Sequence, residues 1–511
     1  MTVSSIFEKT VDKKPEQVAL VFGDHKIEYG LLRESINRLA QGLLDLGIQK
    51  GDRIALMLPN VPHFCISYYA ILKLGAVVVP INIMYDNNNI KHILLDCGAK
   101  VIITWVGFKS QVINAVKEAP QCERIIFLGN RIPSDTTALT TLIAKSAPID
   151  RDAEVTGEDL AVINYTSGVA DVALGAALTH EAMIANAMTC REMFLITSED
   201  KCIAVLPLFH PLGQTLVMNA SFFIGATAVL VPRFSPEGTI DLVQKNGVTL
   251  MAAVPGMFQG LVETDVESGA MPTLKYCICY GGTLSKSLSQ AFENKFDSLV
   301  LQAFGLTEAG PLVTANRTDR DRKVDSVGLP LVGVDVRIQD ETGAHLLPKQ
   351  SGEIWIKSPS LMKFYYNNGE QTDKRLKDGW LFSGDIGYLD EDYYLFIQER
   401  KEDIIVKGGF HIFPTEIERL LLSHPAVAEA AVVGVADSIQ GAEVKAFVVL
   451  KKDQSVKAEE LFAFCSESLP VYKSPKFIEF VHNLPKSSTG RVLKRMLRIT
   501  GEKTNRDKTH N

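Results

Sequence analysis

From Tyr29 to Gly47, apolar residues at Leu32, Ile36, Leu39, Leu43 and Leu46 recur at helical spacing. This predicts an amphipathic helix with Gly47 at its C-cap. The continuous apolar run Ile54 to Leu58 follows and reads as a strand. The same unit then recurs: Ile66 to Leu74, a stop at Gly75 and the β-branched run Ala76 to Ile81; Ile90 to Cys97, Gly98 and Val101 to Thr104; Val112 to Val116 and Ile125 to Leu128. Helices alternating with fully apolar strands predict an α/β chain whose parallel sheet is covered on both faces. Further strands are expected at Cys202 to Leu206, Ala226 to Val231 and Thr249 to Val254. Between Val334 and Lys357 the period shifts towards alternation, with Val336 to Ile338 and Glu353 to Ile356 separated by a turn-rich segment. This predicts antiparallel strands of a smaller barrel-like subdomain. Near Arg400 the pattern changes again: a charged segment precedes Ile404 to Val406, the Gly408-Gly409 pair and a helix from Pro414 to Leu422. The expected division is a large N-terminal domain, 1–399, and a small C-terminal one, 400–511, ending in a polar, frayed stretch from Gly501.

A length of 511 residues, 46% of them hydrophobic, exceeds one ordinary core and agrees with at least two domains. The net charge of -7 and the lack of a Lys/Arg cluster argue against a nucleic-acid-binding protein. The eight cysteines are scattered, with Cys277 and Cys279 flanking one residue of an expected strand, which points to a reducing cytosol and no zinc. No basic, apolar leader opens the chain. The apolar run Thr215 to Pro232 is broken by Asn219, Ser221, Gly225 and Thr227, and reads as a buried helix and strand rather than a membrane span.

The candidate chemistry centres on Ala161 to His180, AVINYTSGVADVALGAALTH. An apolar strand enters a loop with Thr166, Ser167, Gly168 and Gly175, and the chain leaves through Leu178-Thr179-His180 into an expected helix. Strand, hydroxyl- and glycine-bearing loop, then helix is a ground plan for holding phosphate. The stretch resembles the signature YTSGTTGxPKGxxLTH of the adenylate-forming superfamily: acyl-CoA synthetases, luciferases and the adenylation domains of peptide synthetases. It matches at Tyr165, Thr166, Ser167, Gly168, Gly175, Leu178, Thr179 and His180 with no change of length. Val169-Ala170-Asp171 stands where the family has Thr-Thr-Gly, and Ala173-Leu174-Gly175 where it has Pro-Lys-Gly.

The resemblance covers nearly the whole chain and assigns further residues. Phe304-Gly305-Leu306-Thr307-Glu308 is similar to YGxTE, which implies an aromatic face for adenine at Phe304, a phosphate contact at Thr307 and a magnesium-holding carboxylate at Glu308. Gly281-Gly282-Thr283 resembles the glycine pair that lets backbone approach nucleotide and acyl group. Ser383-Gly384-Asp385-Ile386-Gly387 matches the GDxG whose Asp binds the ribose hydroxyls, a task suited to a carboxylate that accepts from both. Arg400 matches the arginine preceding the family's hinge, with Glu402 at the pivot. Lys407-Gly408-Gly409 opens a segment similar to KGGxxIxPxEIE, which lines a pantetheine tunnel when the small domain rotates; Phe410-His411 replaces its commoner polar pair. Pro485 to Arg491 resembles PKxxxGK, with Arg491 in place of the catalytic lysine, so a planar fork replaces a compact ammonium. His210, in LPLFHPLG, matches the histidine at the entrance to the carboxylate site of acyl-CoA synthetases; a hydrogen-bonded core histidine is the alternative.

Removing one donor that acts in the transition state costs about 3 kcal/mol. A carboxylate at Asp171 about 5 Å from a phosphate charge would add roughly 3 kcal/mol of repulsion at an effective dielectric near 20. The resemblance therefore implies an acyl-CoA synthetase-like ligase that joins a fatty or other organic acid to coenzyme A through an acyl-adenylate, with magnesium and ATP but with adenylation impaired. The alternatives are a ligase that transfers a preformed acyl-AMP to coenzyme A or to the phosphopantetheine of an acyl carrier protein, and a non-catalytic acyl- or nucleotide-binding relative. A cytoplasmic protein with no integral membrane segment is expected, and a homodimer is compatible with it.

Overall fold

The computed structural model describes residues 1–149, 153–166, 173–282, 284–323, 325–437, 440–486 and 492–498. The chain divides into two compact units, Met1–Val336 with Ile356–Phe382, and Arg337–Trp355 with Ser383–Asn511. The architecture is mixed α/β, a large N-terminal part and a smaller C-terminal one.

The first unit contains two large sheets. One runs, in spatial order, Phe364–Tyr365, Gly175–Thr179, Leu160–Tyr165, Val77–Pro80, Arg53–Met57, Val101–Trp105, Arg124–Leu128 and Thr137–Ala138. Its strands from Leu160–Tyr165 onward are parallel, as their fully apolar sequences predict. The other has a parallel centre, Val18–Phe22, Thr227–Leu230, Lys201–Ala204, Leu250–Ala253, Tyr276–Cys279 and Leu299–Phe304, with antiparallel strands at both edges. Helices cover these sheets; Phe258, Phe292 and Phe296 pack edge-on or tilted at about 5 Å in the second core.

Local chemistry fixes the elements that matter for the site. Helix α1 (Asn87–Cys97) is capped by the Asp86 carboxylate, which accepts from the Asn89 amide. Strand β1 (Leu160–Tyr165) leads into the glycine loop, and β2 (Gly175–Thr179) pairs antiparallel with β1, Tyr165 opposite Gly175. Helix α2 (His180–Met193) begins only after β2, with Thr179 as its N-cap. The expected helix after Leu178-Thr179 is present, but the strand-loop-helix plan is corrected in one respect: a strand, β2, stands between the loop and the helix. The small residues Gly175, Ala176 and Ala177 hide a strand from propensity, and β1 and the next strand at the sheet edge recruit it by pairing. Strand β3 (Leu299–Phe304) and strand β4 (Phe364–Tyr365) complete this set.

The apolar run from residue 215 to 232 is a buried helix and strand: a π-helical segment, Gly213–Asn219, then Ala220–Ile224 and Thr227–Leu230. No described helix is long and apolar enough to cross a membrane. All eight cysteines are buried and free.

A five-stranded sheet carries Asp335–Gln339, Gly352–Lys357, Leu376–Lys377, β5 (Trp380–Leu389) and β6 (Leu395–Arg400). A tight hairpin, Ile405–Lys407 with Phe410–Ile412, turns on Gly408 and Gly409. Both glycines have positive φ, +54° and +84°, the backbone that a two-residue hairpin turn demands. The long hairpin Val427–Asp437 with Gly441–Leu450, extended by Phe477–Phe480, forms a sheet against helix Pro414–Ser423.

Candidate active site

In open α/β sheets ligands bind beyond the carboxyl ends of the strands. The first unit puts its candidate residues there. Gly281-Gly282 follows Tyr276–Cys279, Gly305, Thr307 and Glu308 follow β3, Thr166 follows β1, and His210 lies beyond Lys201–Ala204. The Leu284 amide donates to Gln302 Oε1 on β3 at 3.2 Å, tying the glycine pair to the next strand. At Gly305 any Cβ would lie 1.8 Å from the Pro311 carbonyl oxygen, so only glycine lets the chain double back there. Phe304 and Thr307 are partly exposed, as contacts for a ligand must be, whereas Glu308 is 6% exposed.

The Glu308 carboxylate is held from one side. Its Oε1 accepts a hydrogen bond from the Tyr365 hydroxyl at 2.7 Å. Burial and the neighbouring Glu308 charge push the Tyr365 phenol well up, so it remains a neutral donor. The Glu308 carbonyl accepts from the Met362 amide at 2.8 Å, and Ser360 Oγ donates to the Ala309 carbonyl at 2.8 Å. Among the described residues no group of three or more His, Cys, Asp and Glu converges on a metal position. A cation beside Glu308 would take most of its oxygen ligands from phosphates and water, the usual arrangement for magnesium.

Both flanks of the glycine loop are pinned to α1. Tyr165 donates its hydroxyl proton to Asp96 Oδ2, and His92 Nε2 lies 3.1 Å from the Ala173 carbonyl. The Thr166 amide donates to the Leu174 carbonyl at 2.9 Å and closes the base of the loop.

His210 receives the Leu212 amide on Nδ1 at 3.3 Å, which leaves the proton on Nε2. Burial pushes its pKa down to about 4, so the ring is neutral at neutral pH, and the Tyr280 ring stands edge-on at 6.2 Å. Just beyond it, Gln214 Nε2 donates to Asn164 Oδ1 on β1 at 3.2 Å, joining the histidine's segment to the strand that feeds the loop. Asn60 adds a second tie, donating to the Ala204 and Leu206 carbonyls and accepting from the Leu208 amide.

In the second unit, β5 and β6 set Asp385 directly opposite Arg400. Arg400 Nε lies 3.1 Å from Asp385 Oδ1, and Asp385 is only 4% exposed. Glu402, exposed, is 3.8 Å from Arg400, and its carbonyl accepts from Arg498 at 3.0 Å; Arg498 also pairs with Asp403. Lys407 is taken up by Glu443, Nζ to Oε2 2.6 Å. Glu399 accepts from the Thr415 amide and hydroxyl at 2.8 and 2.7 Å, and Lys494 bridges it to Glu418. Ser167, Gly168, Val169, Ala170, Asp171, Thr283 and Arg491 lie outside the described residues. The stem of the Arg491 segment is described: Lys486 bridges to Val492, and the Leu493 amide donates to the Pro485 carbonyl at 2.7 Å.

Sequence reasoning did not single out Tyr365, Asp96, His92, Gln214 or Arg498. Each acts from far along the chain, and the Tyr365-Tyr366 pair within a polar turn is the one local hint.

Comparison with known proteins supplies a second line of observation. The family model of AMP-binding enzymes matches residues 7–366, and that of the AMP-binding enzyme C-terminal domain matches residues 416–491. A long-chain-fatty-acid–CoA ligase of Bacillus subtilis (strain 168) is 35% identical, covering 97% of this chain and 94% of that protein. The corresponding ligase of Yersinia pestis is 33% identical, with 96% and 93% covered. Among solved structures, ATP-bound MatB from Rhodopseudomonas palustris superposes with a TM-score of 0.91 at 28% identity, covering 98% of this chain and 99% of that one. The o-succinylbenzoate CoA synthetase of Bacillus subtilis, in complex with its acyl-adenylate intermediate, gives 0.87 at 28% identity, with 96% and 97% covered.

Proposed function

The chain belongs to the family of AMP-binding enzymes, and from that premise we propose that it is an acid–thiol ligase working through an acyl-adenylate. Its acid is a fatty or other organic carboxylic acid, as the names of the similar ligases suggest, and its acceptor is coenzyme A or a carrier-protein phosphopantetheine. Phe304, Gly281 and Gly282 receive the adenine and the acyl-phosphate end, Thr307 meets the α-phosphate, and Asp385 takes the two ribose hydroxyls with Arg400 orienting it. The neutral His210 Nε2–H donates to the substrate carboxylate without competing as a base. Glu308 would hold the magnesium, which supplies charge neutralisation of the phosphates. Thr166, Ser167 and Gly168 retain the frame of the phosphate loop, and Lys407, Gly408 and Gly409 border the route of the thiol arm. The pivot is Glu402, and the functional domains are 1–399 and 400–511. Buried, free cysteines suit a cytoplasmic setting.

We further infer that adenylation from ATP is slow. The observation that carries this reading is a contrast: the groups for AMP are present, while Val169, Ala170, Asp171, Ala173, Leu174 and Arg491 replace the donors and cations for the departing diphosphate. A ligase that accepts acyl-AMP made elsewhere would need the first set and not the second. Two assays test this. Pyrophosphate release from ATP, magnesium and a panel of acids is expected to be slow, whereas thioester formation from synthetic acyl-AMP and coenzyme A or carrier protein is expected to be fast. Combining Val169→Thr, Ala170→Thr, Asp171→Gly, Ala173→Pro, Leu174→Lys and Arg491→Lys should raise adenylation by roughly 10²-fold or more, the size of one restored transition-state donor. Fast pyrophosphate release by the natural chain would overturn the impaired step, and failure to use acyl-AMP would overturn the ligase.

A further inference from the structure

We propose that Tyr365 is a positioning residue for Glu308, fixing the direction in which that carboxylate meets the nucleotide's cation. This rests on the reading of Glu308 as the magnesium-holding group. Among the described residues the phenol is the only hydrogen-bond donor to the carboxylate, and it engages Oε1 alone. A carboxylate with one oxygen committed presents the other in a set direction. Magnesium demands near-octahedral geometry and sheds water reluctantly, so that direction matters more than for a softer ion. A neutral donor serves this purpose better than a cation, because it orients the carboxylate without cancelling the charge that attracts the metal.

The mount of the phenol is rigid, and it reaches the phosphate loop. Strand β4 pairs with β2, Tyr365 opposite Ala176, and the Tyr366 amide donates to the Gly175 carbonyl at 2.7 Å. The Tyr365 amide donates to Thr372 Oγ1 at 2.9 Å, and that hydroxyl donates to the Asn368 carbonyl at 2.8 Å. On the other side, the Met362 amide holds the Glu308 carbonyl. Tyr365 therefore spans from the strand that leaves the loop to the carboxylate. One ring registers the cation's ligand against the phosphates' cradle.

The test uses the full chain with manganese(II) and ATP, free manganese being read by its paramagnetic resonance signal. Tyr365→Phe keeps the ring and removes the donor; it is expected to weaken manganese binding to the ATP complex roughly 10-fold to 100-fold, the range for a hydrogen bond to a charged group. Metal-free AMP binding should not change. In a Glu308→Gln background the same Phe substitution should have no further effect on manganese, because both changes act on one ligand. If Glu308→Gln itself leaves manganese binding unaltered, the magnesium role of Glu308 falls and this proposal with it. If Glu308→Gln weakens binding and Tyr365→Phe does not, positioning alone falls. Equal losses from Tyr365→Phe in both backgrounds would place its effect in the fold, and would also overturn the proposal.

Discussion

Glu308 and Asp385 are carboxylates of similar burial, 6% and 4% exposed, held in different ways. The first accepts a hydrogen bond from a neutral phenol, which adds no counter-charge. The second is paired with a guanidinium, so the unit it presents is close to neutral. A net charge in a low-dielectric setting calls for a cation, and a neutralised carboxylate with spare lone pairs suits hydroxyls. The contrast extends to the neighbours. In the first unit His180 and His210 are both pushed down to about 4 by burial and act as neutral groups. The second unit is laced with ion pairs, Lys494 between Glu399 and Glu418, Lys407 with Glu443 and Arg498 with Asp403. On the proposed reading, what distinguishes the ribose carboxylate from the metal carboxylate is therefore the partner behind each.

The largest effect that would break this comparison is on AMP. Asp385→Ala should weaken metal-free AMP binding by roughly 10²- to 10⁴-fold in calorimetry, as two hydrogen bonds to a charged acceptor are lost. Glu308→Ala should leave that affinity nearly unchanged; the reverse pattern would exchange the two roles. Next in size, Arg400→Gln leaves Asp385 buried without its cation. It should cost about 3 kcal/mol in urea unfolding, the low end for a broken buried pair because Arg400 is partly exposed. Tyr365→Phe, which removes a neutral donor, should cost about 1 kcal/mol in the same measurement. Equal costs would erase the distinction between the two supports.

Acid provides the smaller, sharper test. His180 and His210 bind protons less readily folded than unfolded, so stability is fully present above pH 6.5. It falls as the pH drops from 6.5 towards 4. Each histidine should contribute about 2 kcal/mol of that loss between about pH 7 and pH 5. His180→Asn should remove its share, measured as the difference between urea midpoints at the two pH values. An unchanged acid loss would show that His180 titrates normally in the folded chain.

Much of the fold was legible because its strands are buried on both faces and read as continuous apolar runs, from Ile54 through Thr249. The candidate residues were legible where a motif is contiguous, as in Phe304 to Glu308 or Ser383 to Gly387. Strand β2 was not, because Gly175, Ala176 and Ala177 carry no β-branched side chain and become a strand only by pairing with β1 and β4. Tyr365 was not either: 57 residues separate it from Glu308, and no periodicity encodes a side-chain bond across that distance. The glycine pair 408–409 was seen, but its physical reason is the left-handed backbone of a tight hairpin as well as an uncluttered surface.

One clasp reaches further than its size suggests. Arg498 grips both the Glu402 carbonyl and the Asp403 carboxylate, so the last described turn of the chain is buckled to the residue proposed as the pivot and to its neighbour. A torsional change at Glu402 must therefore either carry this terminal strap along or unfasten it. Removing the last fourteen residues, Arg498 included, would not be a neutral trim, since it would strip Asp403 of its counter-ion and release the backbone of the proposed pivot.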